Sequence, residues 1–394
     1  MQNFIYYTPT KVYFGKGEEY NVGKYIKEYH PHKVLIHFGS SSARKSGLLD
    51  IVEKALKGEG IEYVLLGGVK PNPELPLVKE GIALCLKEGV DFILAVGGGS
   101  VLDSAKDIAN GVAEPSIDTW DYHIGKQKIT KTLKKGCILT LSAAGSEMSN
   151  SGVITNPETH VKRGTNSDFN RFDFAICNPE LTYTVSPYQT ACGAVDIAMH
   201  SIERYFTKCD EETELTDDLA LTVIKHAFKY GKLSYLNPND YNARAQMMWA
   251  SSLAHNGLTN CGKDLLLTVH QLEHELSAKY TEIAHGAGLA ALWCSWARFV
   301  YKEAIERWYK YANVIWNVYD EDKEKAILKA IDLQEQYYAS IGMPIGLKEL
   351  NVKEKDLEDL AFRTSHSKSR IIPGYKPLGY EEILYIFKEA YRRG

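Results

Sequence analysis

The chain has 394 residues, a length that favours two domains over one compact core. Hydrophobic residues make up 44%, charged residues 24% and the net charge is −4, so we expect no nucleic-acid or anionic-membrane partner. No stretch reaches the apolar length that spans a bilayer, and the first residues lack a signal-peptide pattern. Seven widely spaced cysteines without a C-x-x-C pair favour a reducing cytoplasm.

Strand-like and helix-like segments alternate over residues 1–186. The strand candidates are short and consist almost entirely of apolar residues. They cover residues 33–38, 62–69, 91–98, 137–142 and 174–179. Amphipathic stretches such as 46–60 and 74–89 separate them. This order predicts a Rossmann-like α/β domain with a parallel sheet covered by helices. Farther on, 151–156 and 161–167 predict a hairpin, with a turn at Asn156-Pro157-Glu158.

The character of the chain changes after Pro187. Long stretches with helical periodicity follow, and strand signals nearly vanish. Ser186-Pro187 is a favourable helix start, because proline fits the first helical position. We therefore predict an all-α C-terminal domain over 187–394.

A glycine triplet, Gly97 to Gly99, lies between the strand candidate 91–98 and a helical stretch. Glycines let the backbone approach a phosphate, and the helix N-terminus favours its negative charge. Gly98, Gly99 and Ser100 are therefore candidate contacts for a dinucleotide, although a tight turn alone explains them too. Asp103, one turn into the helix, either faces the cofactor ribose or merely complements the helix dipole.

The strand candidate 33–38 ends in a loop with Gly39, serines at 40–42, Arg44 and Lys45. Sites for NAD usually place an acid at such a strand end, whereas sites for NADP offer hydroxyls and cations to the 2′-phosphate. Gly39, Ser41 and Ser42 therefore favour NADP(H) over NAD(H). A solvated loop is the alternative.

Small and hydroxyl residues are frequent over 139–152, from the end of the strand candidate 137–142 onward. Thr140, Ser142 and Ser146 lie in this segment and can hold a ribose or a nicotinamide amide. By composition alone, the segment is equally a turn-rich loop.

One aspartate and several histidines in the second half indicate a metal site. Asp196 and His200 are four residues apart, as are His270 and His274, so each pair shares a helix face. His285 precedes a glycine near a predicted helix start. Carboxylate and imidazole donors suit Fe(II) or Zn(II). A site with one aspartate and four ligands leaves one of these histidines for catalysis or substrate contact.

Six motifs together resemble the iron-containing (group III) alcohol dehydrogenase family, most closely its NADP-dependent butanol dehydrogenase branch, over essentially the whole chain. They are GGGSVLDSAK (97–106), CNPELTYTVSP (177–187), AVDIAMHSIE (194–203), AHNGL (254–258), HQLEHELSA (270–278) and AHGAGLA (284–290). The resemblance implies a dehydroquinate synthase-like architecture, with the active site in a cleft between the two domains, and it suggests a homodimer.

The resemblance also assigns roles to residues. It places the metal ligands at Asp196, His200, His270 and His285, and a histidine near nicotinamide and substrate at His274. Gly98, Gly99 and Ser100 match the pyrophosphate loop, and Lys162 matches a position in the cofactor cleft. The family metal is iron, with zinc as the alternative.

The implied reaction is hydride transfer between NADP(H) and a short-chain primary alcohol or aldehyde, such as butanol or butanal. The alternatives are a zinc- and NAD-dependent enzyme like glycerol dehydrogenase or dehydroquinate synthase, and a non-catalytic nucleotide- or metal-binding protein. Two departures stand out. His270 and His285 are fifteen residues apart, one more than in better-known branches, and GKDLLLTVH (262–270) lacks the usual Gly-Asp-Trp. The second leaves the substrate-side start of that helix open.

Overall fold

The computed structural model describes residues 1–393, which divide into two compact units. Tyr7–Val185 form an α/β unit, and the chain from Ser186 onward forms a helical unit together with Met1–Tyr6. The first six residues thus differ from the predicted division at residues 186/187. The Gln2 amide donates a hydrogen bond of 3.0 Å to the Gly262 carbonyl, which ties this end of the chain to the helical unit.

The α/β unit contains eight strands and six α-helices, besides short 3-10 helices. The strands are β1 (Lys11–Phe14), β2 (Lys33–Gly39), β3 (Glu62–Val69), β4 (Phe92–Gly97), β5 (Lys134–Leu139), β6 (Ser151–Asn156), β7 (Val161–Asn166) and β8 (Phe174–Cys177). The helices are α1 (Val22–Lys27), α2 (Ser42–Lys45), α3 (Leu48–Gly58), α4 (Leu75–Glu88), α5 (Gly99–Ala113) and α6 (Trp120–His123).

Six of these strands form one parallel sheet in the order β1-β8-β5-β4-β2-β3. β4 lies in the interior of the sheet and is buried throughout, as its unbroken apolar sequence predicts. β6 and β7 form the separate antiparallel hairpin that the sequence predicted. The Rossmann-like fold class is therefore confirmed for this unit.

Three strands differ from the prediction. β5 begins three residues early, at Lys134, because the Lys135 ammonium finds buried partners in the Phe169 carbonyl (2.7 Å) and the Thr132 hydroxyl (2.9 Å). β8 stops at Cys177 because the chain turns into a 3-10 helix at Pro179, which has no N–H for a sheet. β1 was not predicted, since it is a four-residue edge strand with partly exposed side chains.

The helical unit contains nine α-helices and no strand among its described residues. They are α7 (Pro187–Tyr205), α8 (Glu214–Leu236), α9 (Tyr241–His255), α10 (Thr268–Lys279), α11 (His285–Val300), α12 (Ile305–Trp316), α13 (Lys323–Ser340), α14 (Leu357–Thr364) and α15 (Tyr380–Arg393). α7 begins with proline at its first position, as predicted, and the Ser186 side chain accepts a capping hydrogen bond from the Gln189 amide.

Two helices run through the core of this unit. α7 is buried almost continuously from Thr190 to Tyr205 and packs against α8, α9 and α11. α11 is buried from Gly286 to Ala297 and packs against α7, α10 and α15. Polar groups on these helices are consequently removed from water, where they need partners. Among residues 1–393, no helix combines the length and apolar character that crossing a membrane requires.

Candidate metal centre and cofactor-binding turns

The structure brings together the four residues that the family resemblance assigned to a metal. Asp196 and His200 lie on the buried length of α7, His270 lies in the first turn of α10 and His285 is the first residue of α11. The close approach of α7 and α11 depends on Gly286. A Cβ atom there would overlap the backbone of Cys192, one turn before Asp196, so a larger residue would move His285 outward.

The Asp196 carboxylate is the centre of the cluster. Its Oδ1 atom lies 3.6 Å from Nε2 of His270 and 3.8 Å from Nε2 of His285. Oδ1 of Asp196 and Nε2 of His270 are both buried and make no hydrogen bond of good geometry, although Nδ1 of His200 lies 3.1 Å from the same Oδ1. Such buried polar atoms are costly unless something else satisfies them. Two ligands of a tetrahedral ion with bonds of about 2.1 Å are roughly 3.4 Å apart, so the observed separations fit a shared cation.

His200 takes a slightly different place in the cluster. Its Nδ1 atom lies 2.9 Å from the Asp196 carbonyl oxygen, so Nε2 is the nitrogen available to a metal. Its ring centroid is 4.4 Å from that of His270. The donor atoms of Asp196, His270 and His285 all lie within 4.8 Å of one another, in a group that does not include His200. The histidine is thus adjacent to the group, and its ring also contacts His255, at 4.1 Å between centroids.

Two buried glutamates hold the outer nitrogens of the metal-site imidazoles. Glu203 Oε2 pairs with Nδ1 of His270, and the same carboxylate accepts from the backbone amides of Val269 and His270. Glu273 Oε2 pairs with Nδ1 of His285. Carboxylates in this position fix the tautomer of a metal-binding histidine and leave Nε2 for the ion. The sequence analysis did not single out either glutamate, although each lies three residues after a predicted ligand, at 200 and 270.

The charges in the cluster favour a cation. Burial by itself raises the pKa of Asp196, but the surrounding imidazoles, His200 foremost, hold it well below its usual range. Burial lowers the pKa of His200 to about 4, so its ring is neutral at neutral pH. Burial also opposes the charge on His270, yet the Glu203 carboxylate outweighs it and raises the pKa to about 9. An ionised carboxylate beside imidazoles is the donor set that a divalent cation requires.

His274 lies one turn beyond His270 on α10 and is only partly buried. Its ring centroid is 6.4 Å from that of His270 and 5.6 Å from that of His285. It does not belong to the group around Asp196 but to a second one, with Glu273 and His285, within 4.8 Å. The two histidines of α10 thus occupy different positions relative to Asp196.

The segment before α10, which departs from the family pattern, is held by a buried lysine. Lys263 Nζ donates to the Arg204 carbonyl at the end of α7 (2.9 Å) and to Asp217 Oδ1 of α8 (2.5 Å). Arg307 Nη2 also donates to Asp217 Oδ1, at 2.6 Å. Lys263 therefore joins the segment before α10 to the end of α7, which carries Asp196 and His200, and to α8. No local sequence pattern indicates this partner, because Asp217 lies 46 residues away along the chain.

In the α/β unit, the glycine triplet forms the turn between β4 and α5. Gly98 is extended and precedes the helix, whose N-terminus has no side-chain cap. A Cβ atom on Gly97 would lie 2.5 Å from Val101 Cγ2, and one on Gly98 would lie 3.1 Å from Leu141 Cβ. Close packing therefore requires small residues here. Gly98, Gly99 and Ser100 also leave the backbone N–H groups at the start of α5 without a side-chain cap, and such a helix N-terminus can bind phosphate.

The loop proposed for the 2′-phosphate follows β2. Ser41 and Ser42 are exposed at the start of α2, and Gly39 ends the strand. The Arg44 guanidinium lies 5.9 Å from the Phe38 ring centroid, near the strand end. Two hydroxyls and a cation therefore lie at this loop.

The hydroxyl residues after β5 differ among themselves. Thr140 continues the chain from the strand, with its amide 3.0 Å from the Gly97 carbonyl, and Ser142 is buried beyond it. Ser146 is buried too, and its hydroxyl donates to Asp103 Oδ1 at 2.6 Å. It is therefore part of an internal network.

Lys106 is the centre of that network, and the sequence analysis did not single it out. Its fully buried ammonium donates to Ser146 Oγ (2.7 Å) and lies 3.5 Å from Asp103 Oδ1. The other Asp103 oxygen accepts from the Val153 amide, at 3.0 Å. Both oxygens of Asp103 thus have protein partners, so the carboxylate links α5 to β6 and to the loop after β5. Lys162, on β7, donates to Asn72 Oδ1 at 2.9 Å.

Comparisons with known proteins cover both units. Residues 9–179 match the family described as iron-containing alcohol dehydrogenase, and residues 190–391 match the C-terminal domain of the same family. The NADH-dependent butanol dehydrogenase A of Clostridium acetobutylicum is 40% identical over 99% of this chain and 100% of its own length. The NADPH-dependent aldehyde reductase YqhD of Escherichia coli is 35% identical over 89% of each chain.

Solved structures agree with these relatives. The crystal structure of NADH-dependent butanol dehydrogenase A from Thermotoga maritima superposes with a TM-score of 0.94, at 36% identity over 99% of both chains. Both family matches and the relatives confirm the resemblance to the iron-containing alcohol dehydrogenase family that was inferred from the sequence. The chain is an enzyme of the iron-containing alcohol dehydrogenase family.

Proposed function

We propose that this enzyme interconverts short-chain primary alcohols and aldehydes, of which butanol and butanal are representative, with NADP(H) and Fe(II). The observation that carries the proposal is the convergence of Asp196, His270 and His285, with buried donor atoms that a shared cation would satisfy together. Butanol dehydrogenases and an aldehyde reductase among the relatives support the substrate class.

We propose Asp196, His200, His270 and His285 as the metal ligands. A divalent metal there supplies a Lewis acid that polarises the oxygen of the alcohol or aldehyde. Glu203 and Glu273 orient His270 and His285 through their Nδ1 atoms. The choice of Fe(II) over Zn(II) rests on the family name, because one carboxylate and three imidazoles accept both ions.

The preference for NADP(H) rests on the loop after β2. Gly39, Ser41 and Ser42 offer no carboxylate to the ribose 2′-hydroxyl, and Arg44 lies nearby as a cation for a 2′-phosphate. The relatives differ in this respect, since the C. acetobutylicum enzyme is NADH-dependent and the E. coli enzyme is NADPH-dependent. We propose the glycine-rich turn at Gly98 and Gly99, with Ser100, for the pyrophosphate. The other proposed cofactor contacts are Thr140, Ser142 and Lys162.

For Asp103 and Ser146, the hydrogen bonds favour a positioning role over direct contact with the cofactor. The Ser146 hydroxyl donates a hydrogen bond to Asp103, and both side chains lie beside the buried Lys106. Burial raises the pKa of Asp103 and lowers that of Lys106, and their mutual attraction opposes both changes. The pair therefore holds the α5 helix behind the glycine turn.

His274 is the proposed proton relay between the substrate oxygen and solvent. It lies beside the metal-site residues, is partly exposed, and carries a side chain that titrates near neutrality when unperturbed. We expect His274→Ala to keep its metal but to lose rate and change its pH–rate profile, whereas His270→Ala loses metal. An unchanged rate and pH profile in His274→Ala would reject the relay and leave the ligand assignment intact.

The decisive experiment is a nicotinamide absorbance assay with purified, metal-replete protein. We expect oxidation of NADPH by butanal, a slower reaction with NADH, and loss of activity after treatment with a chelator. Metal analysis of the natively purified protein distinguishes iron from zinc. Failure of every short aldehyde to oxidise either NADPH or NADH would contradict the proposed reaction.

The resemblance also suggests a homodimer. The wide spacing of the cysteines suggests a cytoplasmic protein. In the structure, all seven cysteines are free thiols, which supports a reducing compartment. Light scattering coupled to size-exclusion chromatography measures the oligomeric state directly.

A further inference from the structure

A second group of metal-type donors overlaps the candidate metal centre. It consists of Glu273, His274 and His285, whose donor atoms all lie within 4.8 Å of one another. Glu273 and His274 are consecutive on α10, and His285 begins α11. We call this group the outer donor set, and we call Asp196, His270 and His285 the inner donor set.

The two sets share His285, and each contains a buried carboxylate, since the Glu273 side chain is 0% exposed, but they differ in the exposure of the other histidine. In the inner set, the side chains of Asp196 and His270 are 6% and 4% exposed, whereas the side chain of His285 is 24% exposed. His274 is also partly exposed. An ion from solvent therefore meets outer-set histidines that are more accessible than the buried members of the inner set.

We propose that the outer donor set binds a second divalent cation of the zinc class, and that this ion inhibits the enzyme. Two imidazoles and one carboxylate are the protein ligands of many open zinc sites, with water in the fourth position. Donors around such an ion are roughly 3.3 Å apart, so the set must contract somewhat. Rotation of the partly exposed His274 side chain provides that adjustment, since its ring centroid is already 5.6 Å from that of His285.

Inhibition follows from the ligands that the second ion would take. Glu273 now pairs with Nδ1 of His285. An ion that binds Glu273 and Nδ1 replaces the proton between them, which passes to the buffer, and so removes the carboxylate that orients His285. An ion that binds Nε2 instead takes this ligand from the inner set directly. In either case the inner site is weakened, and His274 is no longer available as the proposed relay.

The inhibitory part rests on the proposed function, but the binding of two ions does not. The test therefore begins with stoichiometry. Protein loaded with one equivalent of metal is dialysed against rising concentrations of Zn²⁺, and bound metal is measured by elemental analysis. We expect the wild-type protein to bind a second equivalent at least 100-fold more weakly than the first. We expect His274→Ala to weaken the second equivalent at least tenfold and to retain the first.

The matched control is His226→Ala, which removes a partly exposed histidine of α8 whose Nδ1 contacts its own helix at Thr222 O. It should bind two equivalents like the wild type. His274→Gln serves as a second variant of similar size, and circular dichroism confirms its fold. One equivalent at saturation in the wild type, or an unchanged second equivalent in both His274 variants, would overturn the proposed site.

A kinetic measurement completes the test. Excess Zn²⁺ should inhibit aldehyde reduction by the wild-type enzyme at the concentrations that fill the second site. Full activity with two bound equivalents would overturn the inhibitory role. If no aldehyde is reduced at all, the proposed function fails, while the dialysis still decides whether the outer donor set binds an ion.

Discussion

The candidate metal centre and the candidate cofactor-binding turns are opposite kinds of site. At the candidate metal centre, side chains supply the donor atoms, and a second layer of buried carboxylates, Glu203 and Glu273, pairs with His270 and His285. At the turn after β4, small residues bring the backbone and a helix N-terminus to the surface, and a side chain at Gly97 would overlap Val101. The comparison therefore contrasts a candidate site defined by side-chain chemistry with a candidate site defined by the absence of side chains.

This difference predicts how each site responds to substitution. Removal of one side chain from the metal centre deletes a donor or leaves a buried group without its partner, which is costly. Addition of a side chain or a charge to one of the turns changes which cofactor group that turn can bind. Four experiments follow in order of decreasing expected effect; three test the contrast, and one tests a buried histidine of the α/β unit.

The largest effect is expected for Asp196→Ala, because Asp196 Oδ1 is the atom shared by the inner donor set. Removal of a residue that only hydrogen-bonds to a metal ligand costs roughly 10–100-fold in metal affinity. Loss of the ligand Asp196 itself should therefore cost more than about 100-fold. Elemental analysis after dialysis measures the retained metal. Asp264→Asn, at an exposed position before α10, is the control. Retention of stoichiometric metal by Asp196→Ala would contradict the assigned centre.

The next effect concerns the α/β unit in acid. Burial lowers the pKa of His37 to about 4, while Nδ1 and Nε2 bond to Leu66 O (2.9 Å) and Ser104 Oγ (2.8 Å). Between about pH 6.5 and 4 the unfolded chain binds a proton that the folded state excludes, so stability falls as pH falls, by about 3 kcal/mol.

His37→Gln should be less stable at pH 7 but should lose less stability on acidification, as followed by denaturant unfolding at pH 7 and 4. The exposed His32→Gln is its control. An acid loss as steep in His37→Gln as in the wild type would show that His37 is not the group responsible.

An intermediate effect is expected for Glu203→Gln, which keeps the size of the side chain but removes its charge. The amide cannot hold His270 Nδ1–H as strongly, and metal affinity should fall roughly 10–100-fold. Competition with a chromophoric chelator measures the affinity. Glu212→Gln changes an exposed carboxylate of the same unit and should have no effect. Equal metal affinities for wild type and Glu203→Gln would show that the second layer is dispensable.

The smallest effect is a change of cofactor preference by Gly39→Asp. A Cβ atom at this position makes only ordinary contacts, 3.7 Å from Val69 O and 4.0 Å from Val101 Cγ2, so the fold should tolerate it. The new carboxylate repels a 2′-phosphate and can bind a 2′-hydroxyl, and the ratio of kcat/KM for NADPH over NADH should fall about tenfold.

Gly58→Asp adds the same charge at an open, exposed position of α3 and should leave the cofactor preference unchanged. An unaltered ratio in Gly39→Asp would remove the argument that this loop selects NADP(H).

Sequence patterns predicted the architecture well wherever they report burial. The unbroken apolar run of β4 and the proline start of α7 both appear as expected. The prediction failed where a polar residue is buried with partners far along the chain. Lys135 concealed the beginning of β5 in this way, because its carbonyl partner belongs to residue 169. Local patterns cannot report a partner that the fold supplies.

The site shows the same division. Periodicity placed Asp196 and His200 on one helix face, and the structure brings them to His270 and His285. The role of Asp103 was open from the sequence, and its bonds to Ser146 and Val153 depend on a loop and a strand about 40 to 50 residues away. Lys106 and Lys263 carried no signal, because a lysine in a sequence is most often a solvated surface residue.

The sequence by itself determined the fold class, the family and the residues with metal-binding chemistry, because these depend on residue type and on spacing along helices and strands. Only the tertiary structure decided which atoms meet. It left Asp196 Oδ1 and His270 Nε2 facing one another, paired His270 with Glu203, and divided His270 from His274 into inner and outer donor sets. The physical reason is that a polar atom removed from water needs a partner and interacts more strongly with it. Which atoms are removed from water depends on how helices that are distant along the chain pack together.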